Sequence, residues 1–288
     1  MATTPSLSRA RLSAYRAEAF CLRPDLRVAT REQAIAFVNR RGFVHFWPVK
    51  DVVLPSLWVA VAGDRPVPSE HDDPGHITWG WKDELLGARR WYYAKVLRRK
   101  ATFIALDVVP YFYALSENYG EPERDYLVQY REGRLPFEAK AVYETLLTEG
   151  PLDTVSLRRL AHLGSRESDA RFARALELLQ ADFKILPVGV AEAGAWRYAF
   201  VYDLVHRFYP DLPELARPIR QADARRRLAE LYLRSVGASP ERAVAALFGW
   251  RWADTVEALD ALDAGGVAVR GVGVEGETGD WVALRELL

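Results

Sequence analysis

His45 is the side chain of this sequence best suited by type to move a proton. It stands in the run Phe43, Val44, His45, Phe46, Trp47, whose apolar members would bury it. An imidazole titrates near neutrality, so burial could tune it for acid–base work; the same setting also suits a core histidine satisfied by one hydrogen bond. Trp47, together with Trp58, Trp79, Trp81, Trp91, Tyr92 and Tyr93, gives residues 1–135 a heavy aromatic load. Such rings stack on unpaired or flipped bases at roughly 1–3 kcal/mol each, and they equally fill cores. The carboxylates of this region that could act on water are Asp51, Asp83, Glu84 and Asp107. Asp107 adjoins an aromatic-rich run and is expected to be buried by it.

Two basic groups could meet a phosphate backbone. Residues 89–100, RRWYYAKVLRRK, hold Arg89, Arg90, Lys95, Arg98, Arg99 and Lys100 and no acid. On a helix these do not form one stripe; they read as support for phosphate contact, with a solvated helix pairing with Asp83 and Glu84 as the ordinary alternative. Arg158, Arg159, Arg166, Arg171 and Arg174 gather where two helices of the middle region meet, the face that a helix-turn-helix turns toward a duplex. Arg225, Arg226 and Arg227 read as a solvent face interleaved with Asp223 and Glu230. Lys and Arg number 39, as do Asp and Glu, so a nucleic-acid surface depends on local segregation of charge.

Several chemistries are excluded. A single cysteine, Cys21, forms no internal disulfide and, without Cys or His at ligand spacing, no zinc site; an apolar helix face is expected to bury it. No Gly-rich phosphate loop or nucleophile elbow occurs, so no cofactor and no metal are expected. No apolar run approaches the roughly 20 residues of a membrane span, and residues 1–20 lack a cleavable leader pattern, which predicts a cytoplasmic protein with no membrane partner.

The elements that must position these residues repeat along the chain. In residues 136–212, a helix in FEAKAVYETLLTEG ends at Gly150 and Pro151. A second helix, TVSLRRLAHL, ends at Gly164, and Ser165 or Ser168 can cap a third, SDARFARALELLQADF. Two β-rich runs, KILPVGVA and WRYAFVYDLV, then flank a turn at residues 192–195. Residues 213–288 repeat this order: ADARRRLAELYLRSVG, a helix over residues 240–250 capped by Ser239, WADTVEALDALDAG, and a hairpin about EGETG. Three helices and a two-stranded wing in about 70 residues make a winged-helix unit. Residues 1–135 are expected to form a third, diverged unit with helices near 8–22 and 30–40, a short strand at GFVHFWPV, a helix in KDELLGARRWYYAKVLRRK and a buried aromatic extension. The fold class is therefore α+β, helix-dominated, with tandem winged-helix units.

This order of parts resembles the AlkZ/YcaQ family of winged-helix DNA glycosylases. The likeness rests on the two downstream units, on an N-terminal pair of helices closing in a glycine and a short strand, and on a later segment, DVVP, at residues 107–110. The resemblance implies three tandem units, binding to double-stranded DNA, and excision of alkylated or cross-linked bases. The family's catalytic signature of Gln, an apolar residue, then Gln or Asp, aligns with the strand after Gly42, so its polar positions become His45 and Trp47. The family's C-terminal β domain is expected to be missing. If catalysis is kept, the resemblance assigns His45 to water activation or lesion recognition, Trp47 to stacking, and Asp51 or Asp107 to electrostatic support. Two other readings stand beside it: a transcription regulator that kept the scaffold without the chemistry, and a winged-helix scaffold for protein partners.

Overall fold

The computed structural model describes residues 5–288. The first third holds β1 (Ser6–Leu7), α1 (Arg9–Ala19), α2 (Arg31–Arg41), β2 (Phe43–His45), α3 (Leu57–Ala62), α4 (Ile77–Leu86), β3 (Tyr92–Lys95) and β4 (Ala101–Ile104). Helix α2 starts where Thr30 accepts from the Gln33 N–H while the Gln33 side chain accepts from the Thr30 N–H, a reciprocal cap. It stops at Gly42, whose φ of 81° an L-residue adopts at a cost; a Cβ there would also sit 3.0 Å from Leu231 Cδ1. Short helices α5 (Val109–Tyr113) and α6 (Asp125–Arg131) lead onward. The middle third follows with α7 (Phe137–Glu149), β5 (Leu152–Asp153), α8 (Thr154–Leu160), α9 (Asp169–Ala181), β6 (Ile185–Ala191) and β7 (Ala199–Leu204). After α10 (Val205–Phe208) and α11 (Leu212–Ala216), the last third has α12 (Gln221–Val236), β8 (Ala238–Pro240), α13 (Glu241–Phe248), α14 (Trp252–Ala264), β9 (Ala268–Val274) and β10 (Trp281–Leu284).

Each third thus runs helix, strand, helix, helix, hairpin, and each orders its sheet the same way. The last strand lies between the other two: β2-β4-β3, β5-β7-β6 and β8-β10-β9. Residues 87–100 depart from the sequence expectation of a helix. Trp91, Tyr92, Tyr93 and Ala94 are all buried, and a segment covered on both faces is a strand rather than a one-sided helix. Its ladder with β4 runs from Tyr92 opposite Ile104 to Lys95 opposite Ala101. The expected serine caps are met in part. Ser168 does stand at the N-cap of α9, but its hydroxyl donates to the Leu163 carbonyl and accepts from no helix N–H; Ser239 pairs with the Tyr232 hydroxyl at 3.1 Å, and Pro240 takes the N-cap of α13. Cys21 lies past the end of α1 at a φ of 56° and is only half-buried, because the chain turns away from the helix axis there.

The cores do not follow the linear order. The first and last thirds share one, in which Phe43, Val44 and Ile104 join Tyr232, Val244 and Val282; the middle third builds its own from Val142, Leu146, Leu157, Leu179 and Ile185. Strand β1 extends the last sheet by pairing in parallel with β9, Ser6 opposite Gly273 and Leu7 opposite Val274. No described helix is long and apolar enough to cross a membrane.

Candidate functional site

His45 ends β2, opposite Thr102 of β4, and its backbone N–H donates to the Pro55 carbonyl at 3.0 Å. The ring is 1% exposed and neither nitrogen has a hydrogen-bond partner. Burial drives its pKa down to about 4. The nearby Ala101 carbonyl opposes this, and the Lys100 ammonium adds to it. None of the groups acting on the ring is a carboxylate. The imidazole is therefore neutral at pH 7 and lacks the acidic orienting partner that a general base usually has.

Trp47, next in the strand direction, is half-buried and lies in a continuous aromatic group. Its ring centroid is 4.4 Å from Phe46, 5.1 Å from Trp58, 5.9 Å from His76 and 6.4 Å from Trp79. Trp58 is wholly buried beneath it, against Gly75, where an added Cβ would come within 2.5 Å of the indole. Trp47 also borders a groove of about 490 Å³ with Lys50, Arg98 and Lys100. Asp51 is exposed on the loop beside that groove, at a φ of 61°, and takes part in none of the described hydrogen bonds or ion pairs. Asp107 contradicts its expected burial. Ala105 and Val108 turn inward on either side of it, so Leu106 and Asp107 face out ahead of α5. The structure does not bring Asp107 to the groove of Trp47.

Lys82 of α4 is 0% exposed, signalled in the sequence only by the tryptophan one helical turn before it. Its ammonium lies 4.4 Å from the ring centroids of both Trp79 and Phe200, 5.5 Å from Tyr198 and 5.7 Å from Tyr93. It donates to Asp83 and, at 2.8 Å, to the Tyr198 hydroxyl, which donates in turn to Asp83 at 2.9 Å. Burial lowers the Lys82 pKa and the Asp83 carboxylate counters it. Four ring faces and one carboxylate make a buried cation affordable. Because Tyr198 and Phe200 belong to the middle hairpin, this network fixes that hairpin across α4 of the first third.

The basic residues sort by whether another group already holds them. Arg158 is tied to Asp169 and to the carbonyls of Leu163 and Ser165, Arg171 to Glu138 at 3.2 Å, and Lys95 to Glu177 at 2.8 Å. Arg89 stacks over Phe208 at 4.6 Å. Arg90, Arg159, Arg166 and Arg174 are exposed with no partner among the described residues. Arg98, Arg99 and Lys100 are exposed together on the β3–β4 turn, where Arg98 gives one N–H to the Ala246 carbonyl at 3.1 Å. Arg98 and Arg99 both hold a φ of 54°. A further residue was missed by the sequence reading: Trp196 is 92% exposed at the tip of the β6–β7 hairpin, signalled only by an aromatic inside a turn. In the last third, α14 carries Glu257, Asp260 and Asp263 and no base; Asp260 is paired with Arg270 and Asp263 with Arg285 at 3.4 Å. Among the described residues no group of His, Cys, Asp and Glu could hold a metal ion.

No curated protein matches the chain. Among solved structures it is similar to the DNA glycosylase AlkZ of Streptomyces sahachiroi, at a TM-score of 0.58 and 14% identity, over 98% of this chain and 71% of that one. At that identity the likeness speaks for the fold. The family model described as AlkZ related matches residues 28–249, from before α2 to the end of α13, and the chain therefore belongs to the AlkZ-related family.

Proposed function

We propose that this chain binds double-stranded DNA through three winged-helix units, bounded near residues 135 and 212, and serves DNA repair. The observation that carries the reading is the threefold recurrence of one element order and one sheet order, the connectivity of a winged helix, with exposed, unpaired arginines on the β3–β4 turn of the first unit and around α8 and α9 of the middle one. Arg159, Arg166 and Arg174 would meet phosphates from the middle unit and Arg98, Arg99 and Lys100 from the first. Trp196 stands ready at a hairpin tip to enter a minor groove. The strand that holds the family's signature acts here as a packed platform, since His45 is a neutral, unpartnered core residue and Trp47 supplies a surface rather than a carboxylate. Excision of an alkylated or cross-linked base is the second reading, favoured by the cationic, aromatic groove beside Trp47.

Duplex affinity measured by fluorescence anisotropy from 50 to 200 mM salt tests the first reading; a steep linear fall of log K with log salt supports it, and no affinity at low salt overturns it. Duplexes carrying alkylated purines, scored for abasic sites with the wild type and His45→Ala, test the second. Product from the wild type and none from the variant would reinstate His45 as a catalytic residue.

A further inference from the structure

We propose that the groove between the turn of residues 96–100 and helix α13 holds one unpaired nucleotide, its base stacked on Trp250 and its phosphate on Arg99. The proposal rests on the DNA-binding reading above and adds a site to it. The groove measures about 630 Å³, within the range of small-ligand sites, and Arg98, Arg99, Arg225, Phe248, Trp250 and Arg251 are among its walls. Its aromatic wall is the outer end of a column that starts in the core. Phe248 packs on Phe43 at 5.8 Å and on Tyr232 at 6.2 Å, and stacks face to face with Trp250, centroids 4.2 Å apart and planes 10° from parallel. Phe248 covers one face of the half-buried indole, and the remainder borders the groove. The next place in the column suits a flat aromatic base, because every base has a π-face to offer.

The charges select an anion to go with it. The two carboxylates of the groove are occupied: Asp254 pairs with Arg251 at 2.8 Å and Arg225 at 3.6 Å, and Asp182 with Lys184 at 3.1 Å. Arg99 has no partner among the described residues, and the Arg225 Nε is buried without one. Arg98 and Arg99 are held in a left-handed backbone conformation that persists only where the surroundings impose it, a common feature of binding turns. Arg98 also borders the groove of Trp47. A strand crossing the turn would thus pass from one tryptophan to the other along a line of cations.

The test compares binding of a fully paired 20-mer duplex with that of the same duplex carrying one bulged thymidine, by anisotropy at fixed salt. The wild type is expected to bind the bulged form more tightly. Trp250→Ala should lose about 5- to 140-fold on the bulged duplex and little on the paired one. Should Trp250→Ala fail to fold, exposed Arg99→Gln carries the test: it loses one phosphate contact on either duplex, and the loss on the bulged duplex is expected to be several-fold the larger. Equal binding of both duplexes by the wild type, or equal losses in the variants, overturns the nucleotide site and leaves the DNA reading standing. No binding of either duplex overturns both.

Discussion

Replacing His45 by leucine should make the protein more acid-resistant, by an amount set by the burial of the ring. The native pKa is about 4, against about 6.5 for an exposed imidazole. The native state therefore binds this proton less readily than the unfolded chain, and stability that is full above about pH 6.5 is lost as pH falls toward about 4. Linkage at about 1.4 kcal/mol per unit puts the loss between pH 7 and pH 4.5 at roughly 2 kcal/mol. Because neither ring nitrogen makes a hydrogen bond, a leucine of similar size forfeits none, and at pH 7 His45→Leu should lie within about 1 kcal/mol of the wild type. Urea denaturation of both proteins at the two pH values isolates the effect, since every other ionisable group is common to both and cancels in the difference. The advantage of the leucine variant should grow by about 2 kcal/mol on going to pH 4.5. A difference that stays flat with pH, or a variant badly destabilised at pH 7, would refute the account of His45 as an unpartnered core residue.

Lys82→Met should cost about 2–4 kcal/mol in denaturant, since it strands the Asp83 carboxylate against the Tyr198 hydroxyl; adding Asp83→Leu should recover part of that loss. Gly75→Ala forces a methyl to within 2.5 Å of Trp58 and should destabilise by about 1–3 kcal/mol, read as a lower urea midpoint. Arg166→Gln with Arg174→Gln, both at exposed positions, should leave stability within about 0.5 kcal/mol and flatten the slope of log K against log salt by about 1.8. An unchanged slope would remove the middle third from the DNA contact surface.

Local pattern carried the last two thirds well. Their helices are amphipathic, their turns hold glycine, and consecutive elements pack on each other, so periodicity and punctuation suffice. The first third hid the same order for two reasons. A long polar loop separates α3 from α4, and β3 is flanked by arginines and lysine that look helical until burial on both faces is known. The site followed the same division. Burial of His45 was readable from its four apolar neighbours, whereas the outward turn of Asp107 and the ring cage about Lys82 depend on residues far along the chain, Tyr198 and Phe200 among them. Which arginines are free was equally unreadable, because Arg158 and Arg171 are claimed by acids that only the folded helices bring near.

Pairing Ser6–Leu7 with β9 closes the polypeptide on itself. The Arg9 N–H reaches the Glu275 carboxylate at 3.1 Å across 266 positions of sequence. Contacts of that separation form late in folding, because the entropy of so large a loop must be met before they return anything. The middle third, whose core is made of near neighbours, should gain its native hydrogen-exchange protection ahead of β1 and β9. The order of assembly would then run outward from the centre of the chain, with its two flanks meeting at the end.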